Sequence, residues 1–195
     1  MHVCVFCGSN AGKNPAFRAA ASALGERLAR DGHVVVYGGA SVGLMGALAD
    51  AALGAGGRVI GIIPRILHER SHEIAQRNLS ELVVVETLHE RKAAMSARSQ
   101  AFVAMPGGFG TLDELFEILT WAQLGLHRSP IVLLNVAGFF DPLREMVDKT
   151  IASGFIREEH RELFVIVDRV DDLPGALAAF EAPALPVKWS GRDRA

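Results

Sequence analysis

Cysteine is nearly absent. Cys4 and Cys7 are the two in a chain of 195 residues, too few for a disulfide-stapled scaffold. Their C-x-x-C spacing marks a redox motif when it opens a helix, but here it falls inside the apolar run Val3-Cys4-Val5-Phe6-Cys7. The pair reads as ordinary buried thiols of a reducing cytoplasm. A strong charge of either sign is also missing: the net charge is −2 and the pI about 6.4, which leaves no global basic footprint for nucleic acid. No apolar stretch reaches the roughly 18–20 residues of a membrane span. The first residues lack the basic n-region and cleavage site of a secretory signal. These absences predict a cytoplasmic protein with neither a membrane nor a nucleic-acid partner. Repeats, low-complexity tracts and linkers are missing too, so a single catalytic domain is expected over 1–182, followed by a loosely ordered tail at 183–195.

Several nucleotide and hydrolase signatures are likewise missing. No G-x-G-x-x-G follows the first strand, and no clean ribose-binding acid ends the second. There is no G-x-x-x-x-G-K-[ST], which argues against a Walker-type NTPase, and no G-x-S-x-G elbow for a serine hydrolase. One motif is present but misplaced. His68-Glu69-Arg70-Ser71-His72 fits H-E-x-x-H, yet it follows Pro64 in a poorly periodic stretch, and Glu73 is at the wrong spacing for a third ligand. No metal is expected.

What the chain has is hydrophobic residues, half of the total, arranged as short Val- and Ile-rich runs alternating with longer periodic segments. Strands are predicted over His2–Cys7, His33–Tyr37, Arg58–Ile63, Glu81–Glu86, Ala101–Met105 and Ile131–Asn135, with an edge strand at Phe164–Val167. Helices are predicted over Pro15–Arg30, Gly43–Leu53, Leu88–Ser99, Thr111–Leu124, Phe140–Ser153 and Leu173–Phe180. Asn14 is placed as the first helix's N-cap, with Pro15 at its first position. Strands apolar on both faces, alternating with helices, call for a parallel sheet covered on both sides. The fold class is therefore α/β: a Rossmann-like, doubly wound parallel sheet in a three-layer α/β/α sandwich. Arg65–Ser80 is the longest stretch without a clear element and reads as a lid or substrate wall.

Three glycine-containing turns follow three strands: Gly8-Ser9-Asn10-Ala11-Gly12, then Gly38 through Gly46, and Pro106-Gly107-Gly108-Phe109-Gly110-Thr111-Leu112-Asp113-Glu114. In a parallel sheet these turns share the carboxyl edge, where ligands bind. The last hands a strand over to a helix, the place where free N–H groups and the helix dipole hold phosphate. Asp113 and Glu114 are placed in that helix's first turn. Arg91 and Lys92 begin their helix on the same edge. Cations are unfavourable near a helix N-terminus, so an anionic ligand is expected beside them.

The residues then take on a family likeness. Pro106–Glu114 matches P-G-G-x-G-T-x-x-E, and it resembles the hallmark of the LONELY GUY family. Val5-Phe6-Cys7-Gly8-Ser9 resembles the family's opening turn. Tyr37-Gly38-Gly39 with Gly43-Leu44-Met45-Gly46 resembles its second glycine loop, and Glu90-Arg91-Lys92-Ala93-Ala94-Met95 its M-H-x-R-K-x-x-M segment. Thr120-Trp121-Ala122-Gln123-Leu124-Gly125 and Leu133-Leu134-Asn135 extend the likeness, which covers about residues 2 to 155. Two positions depart from the pattern: Ala40 stands where a third glycine is usual, and Leu88 where Met is usual.

The resemblance implies hydrolysis of the N-glycosidic bond of N6-substituted adenosine 5′-monophosphates, giving free base and ribose 5-phosphate. It implies no cofactor, a nucleoside 5′-monophosphate as substrate, and a homodimer. It places the catalytic pair on Arg91 and Glu114. It also lines the nucleotide site with Glu73, Lys92, Gly108, Phe109, Gly110, Thr111, Leu112, Asp113 and Thr120. The glycine turns add Gly8, Ser9, Gly38, Gly39, Gly43, Met45, Gly46, Pro106 and Gly107 as substrate-binding positions. Met95, Met105 and Trp121 read as base contacts or as core, with core favoured for the last two. Family members are often labelled lysine decarboxylases, a chemistry that needs pyridoxal phosphate on a buried lysine. The lysines are Lys13, Lys92, Lys149 and Lys188, and Lys92 is the sole candidate. The rival reading is a non-catalytic carrier of a nucleotide-like or molybdenum cofactor.

Overall fold

The computed structural model describes residues 1–70 and 78–184. Strands β1 (His2–Phe6), β2 (Val34–Tyr37), β3 (Arg58–Pro64), β4 (Glu81–Val85), β5 (Ala101–Ala104), β6 (Ile131–Leu134) and β7 (Val165–Val167) form one seven-stranded sheet in the order β4-β3-β2-β1-β5-β6-β7. Every pairing is parallel, with Val3 opposite Val35 on one side and opposite Ala101 on the other. The chain therefore builds outward from β1 to β4, returns to place β5 beside β1, and builds outward the other way. The crevice at the carboxyl ends of β1 and β5 is the topological switch point, where open α/β sheets bind ligands.

Helices α1 (Pro15–Arg30), α2 (Gly43–Gly54), α3 (Arg65–Arg70), α4 (Leu88–Ala97), α5 (Phe109–Gln123), α6 (Asp141–Ala152) and α7 (Leu173–Ala179) cover the sheet. Strand residues alternate between two cores. Val3, Val5, Cys7, Val35, Tyr37 and Val103 pack with Leu24 and Leu28 of α1, Leu48 of α2 and Leu177 of α7. Cys4, Phe6, Val36, Phe102 and Ala104 pack on the other face with Met95 of α4 and with Leu115 and Ile118 of α5. This is the doubly wound, three-layer sandwich that the two-sided apolar strands require. It also sends Cys4 and Cys7 to opposite faces, where both thiols are free and buried. Met95 and Met105 are core residues, and Trp121 packs partly buried against the second core.

Local chemistry sets the element ends. The Asn14 side chain accepts a hydrogen bond from the Ala16 N–H at 3.0 Å, with Pro15 at N1, as expected. β3 includes Pro64 as its last residue, one beyond the expected end, because the β2 ladder finishes at Gly61 and only β4 pairs further on. Arg65–Ser80 is not free of elements either. Residues Arg65–Arg70 form α3, a short helix without Gly or Pro, supported by an Arg65–Glu69 ion pair at 3.9 Å. Its six residues are too few to show a periodic face in sequence. His68 and Glu69 lie on this helix, whereas His72 and Glu73 fall outside the described residues. Of the expected tail, Pro183 and Ala184 carry no regular structure, and the rest lies outside the described residues. Among the described residues no helix is long and apolar enough to cross a membrane.

Candidate active site

Three loops meet at the switch point and are stitched through their backbones. The Gly8 N–H donates to the Pro106 carbonyl at 3.1 Å, and the Leu44 N–H donates to the Gly8 carbonyl at 3.0 Å. This brings the first and third glycine turns and the start of α2 into one wall. Gly43 is needed there. Its φ of +64° favours glycine, and a Cβ would run into the backbone of Ser9 and Asn10.

Two helix N-termini open onto this wall, and neither is capped by a side chain. Val42 precedes α2 and Gly108 precedes α5, without a side-chain cap at either. By contrast, Asn14 caps α1 and Thr87 caps α4. In α5 the first helical hydrogen bond is from Leu112 N–H to the Gly108 carbonyl, at 3.1 Å. The N–H groups of Phe109, Gly110 and Thr111 therefore have no partner within the helix and present an anion site. Because α5 begins at Phe109, Asp113 and Glu114 lie in its second turn and not in the first, as sequence had placed them. The reason is that Gly110 is accommodated inside the helix, so the boundary sits two residues earlier than a reading that stops at glycine.

The cleft against this wall has a volume of about 620 Å³. It is lined by Ser9, Asn10, Gly108, Phe109, Gly110, Thr111, Arg91 and Glu114 together with the apolar side chains of Ala40, Val42, Met45, Ile63 and Leu67, and with Gly38 and Cys7. A smaller lobe of about 270 Å³ adjoins it through Ser9, Asn10 and Gly108, and is edged by Gly8, Pro106, Gly107, Phe17 and Phe139.

Within the cleft, α4 and α5 bring together one cation and one anion. Arg91 is 15% exposed and Glu114 is 7% exposed, and Nη2 lies 3.1 Å from Oε1. Arg91 also donates from Nε to the Ile62 carbonyl at 3.2 Å, which fixes the guanidinium plane. The Arg91–Glu114 contact is an ion pair by distance without hydrogen-bond alignment, so Glu114 Oε1 accepts no hydrogen bond among the described residues. A buried, unsatisfied carboxylate oxygen in a cleft is a group held ready for a ligand or a water. Burial pushes the Glu114 carboxyl above its usual range. Arg91 opposes this, Asp113 and Glu117 add to it, and Lys92 opposes it. Burial, followed by the nearness of Glu114, drives the Cys7 thiol far above its ordinary range, so it is no nucleophile near neutral pH.

The other expected positions divide. Gly38, Met45 and Ser9 line the main cleft with the α5 N-terminus, while Gly8, Pro106 and Gly107 line the smaller lobe. Gly39, Gly43 and Gly46 shape the second loop and the start of α2 from behind. Leu112 packs against the core. Thr120 is exposed and donates to the Phe116 carbonyl at 2.7 Å, well along α5. Lys92 does not reach the cleft. Its ammonium lies 3.0 Å from Asp113 Oδ2 and 3.0 Å from Glu117 Oε1. The anion expected beside it is thus supplied by the protein itself. Asn10, Val42, Ile63 and Leu67 line the cleft without having been expected there, and Ala40, noted only as a departure in the second glycine loop, lines it too. All but Ile63, a strand end, lie in segments read from sequence as loops or walls.

The family model described as "Possible lysine decarboxylase" matches residues 45–177. The chain is 51% identical over 163 residues to a probable cytokinin riboside 5′-monophosphate phosphoribohydrolase of Oryza sativa subsp. japonica, covering 84% of this chain and 71% of that one. It is 44% identical over 179 residues to a cytokinin riboside 5′-monophosphate phosphoribohydrolase of Arabidopsis thaliana, covering 92% of this chain and 78% of that one. Among solved structures, the molybdenum cofactor carrier protein of Chlamydomonas reinhardtii superposes with a TM-score of 0.68 at 23% identity, covering 91% of this chain and 98% of that one. The molybdenum cofactor binding protein of Rippkaea orientalis gives 0.67 at 20% identity, covering 91% and 94%. At such identity these two likenesses show the fold alone.

Proposed function

The chain belongs to the LONELY GUY family, the cytokinin riboside 5′-monophosphate phosphoribohydrolases, and we propose that it hydrolyses the N-glycosidic bond of N6-substituted adenosine 5′-monophosphates. The observation that carries this reading is the buried Arg91–Glu114 pair beside the uncapped N-terminus of α5. The 5′-phosphate meets the free N–H groups of Phe109, Gly110 and Thr111, where the helix dipole favours negative charge. Val42, Met45, Ile63 and Leu67 in the same cleft offer apolar lining for the base and its N6 substituent. C1′ of the ribose then lies against Glu114.

Cleavage of a glycosidic bond passes through an oxocarbenium-like state. The carboxylate of Glu114 stabilises that cation and orients the attacking water. The C1′–N9 bond breaks with its electron pair leaving on the base. The water oxygen bonds to C1′, and the proton it gives up balances the departing base. Arg91, fixed by Ile62 and Glu114, holds ribose or phosphate oxygens and so fixes the reacting centre.

A pyridoxal-dependent decarboxylase fits these residues poorly. A Schiff-base lysine needs a lowered pKa. Burial does act to lower that of Lys92, but hydrogen bonds to Asp113 and Glu117 outweigh it and the net direction is up. Lys13 and Lys149 are exposed.

We propose further that the enzyme works as a homodimer in a reducing cytoplasm. Exposed Leu88, Phe116, Leu124 and Leu126, on and around α4 and α5, support the first statement, and the free buried thiols support the second. The test is to incubate the purified protein with isopentenyladenosine monophosphate, its riboside, AMP and lysine, separating products by chromatography with mass detection. Free base and ribose 5-phosphate from the monophosphate alone are expected. Nucleotide binding without any release would favour the carrier reading.

A further inference from the structure

Two successive residues of α4 face two different sets of acids on α5. Arg91 reaches Glu114 in the cleft. Lys92, 12% exposed, turns away from the cleft and lies 3.0 Å from both Asp113 and Glu117. Asp113 precedes Glu114 by one residue and Glu117 follows it by three, so both stand close to the carboxylate that the chemistry uses.

We propose that Lys92 is a positioning residue for the reaction: by binding Asp113 and Glu117 together it fixes α4 against α5 and keeps Glu114 ionised beside Arg91. The inference rests on the phosphoribohydrolase reading of the site, in which Glu114 acts as a carboxylate.

Arg91 and Lys92 act on Glu114 from α4, Asp113 and Glu117 from α5, the neutral thiol of Cys4 from β1 and that of Cys7 from the turn after β1. Among the described residues, two cations therefore confront three acids. Both neighbouring acids favour protonation of Glu114, and Lys92 is the cation that neutralises them. Without Lys92, a carboxylate already pressed by burial would meet two like charges, with Arg91 to offset them among the described residues. The same pairing occupies the ammonium. A lysine held by two carboxylates at 3.0 Å is spent on α5 and not on a ligand phosphate.

The test is the pH dependence of kcat/KM for isopentenyladenosine monophosphate in Lys92→Met, in Asp113→Asn/Glu117→Gln, and in the triple variant combining them. Lys92→Met should move the acidic limb to higher pH by about one unit, with KM on the alkaline plateau unchanged. The double variant, which keeps Lys92, should move the limb to lower pH. The triple variant should return it to the wild-type position or below. A rise in KM at every pH that the triple variant does not relieve would mean that Lys92 binds phosphate, overturning the proposal. A loss that is equal at all pH values would also overturn it, by making Lys92 purely structural.

The titration of Glu114, followed by carboxyl-carbon NMR of the unliganded proteins, reads the same shifts without turnover. If the wild type releases no base, the functional reading fails while the NMR shifts still decide the role of Lys92.

Discussion

Gly38 lies against Arg91 of the proposed catalytic pair, and replacing it with alanine isolates the position of Arg91 from its charge. A Cβ built on Gly38 falls on Arg91 Nη2, 3.1 Å from Cζ and 2.9 Å from Met45 Sδ. Carbon atoms in ordinary contact lie about 3.5–4.0 Å apart. The end of the guanidinium must therefore retreat by about 1.5–2 Å, and Nη2 is the atom that now lies 3.1 Å from Glu114. A misplacement of that size at a reacting centre costs on the order of 10²-fold in rate, or about 2.7 kcal/mol of barrier. Stability should change little, because the displaced groups are the far ends of two flexible side chains. A shift of roughly 2–4 °C in Tm per kcal/mol sets the scale for a chain of this length. The assay pairs kcat and KM for the monophosphate with a thermal melt. Gly54→Ala serves as control, since its Cβ would meet nothing within 4 Å. Gly38→Ala is expected to lose about 10²-fold in kcat with a melt within a few degrees of wild type, and Gly54→Ala to change neither. Full activity in Gly38→Ala, or a collapse of the melt with normal activity in the folded fraction, would refute the placement of Arg91.

Two further outcomes are expected. Burial raises the proton affinity of Glu114 in the folded state, so its contribution to stability is present at low pH and is lost as pH rises through its raised folded value. Melts of wild type and Glu114→Gln should therefore diverge in favour of the variant as pH rises from about 4, the unfolded carboxyl range; parallel melts would contradict this. The Tyr37 hydroxyl is buried without a hydrogen-bond partner among the described residues, so Tyr37→Phe should be neutral or stabilising by up to about 1 kcal/mol in urea titrations. A loss above that size would reveal a hidden partner.

The layers and winding of the sheet were legible because strands such as Val34–Tyr37 and Ile131–Leu134 are apolar on both faces, and because Asn14-Pro15 announces a helix start without ambiguity. Most element ends differ from expectation by one or two residues, where fraying and capping, not pattern, decide. Helix α3 was illegible because six residues carry no period, and the start of α5 because its first turn holds a glycine. Within the site, the glycine turns could be named from motif and edge, and the choice of Arg91 with Glu114 came from the family resemblance. The direction of Lys92 could be read from neither. It depends on how α4 lies against α5, and the acids that claim it are some twenty residues away along the chain. The apolar lining escaped for a similar reason: Val42, Ile63 and Leu67 come from three different segments, and each looks unremarkable alone.

The most direct test of the account is Glu114→Gln assayed for both turnover and affinity with isopentenyladenosine monophosphate. Release of base should be lost while the Kd measured by calorimetry stays close to that of wild type, because the proposed pose holds the phosphate at the α5 N-terminus and the base among the apolar lining residues. A Glu114→Gln enzyme that keeps most of its turnover would contradict the assignment of Glu114 as the carboxylate that carries the reaction.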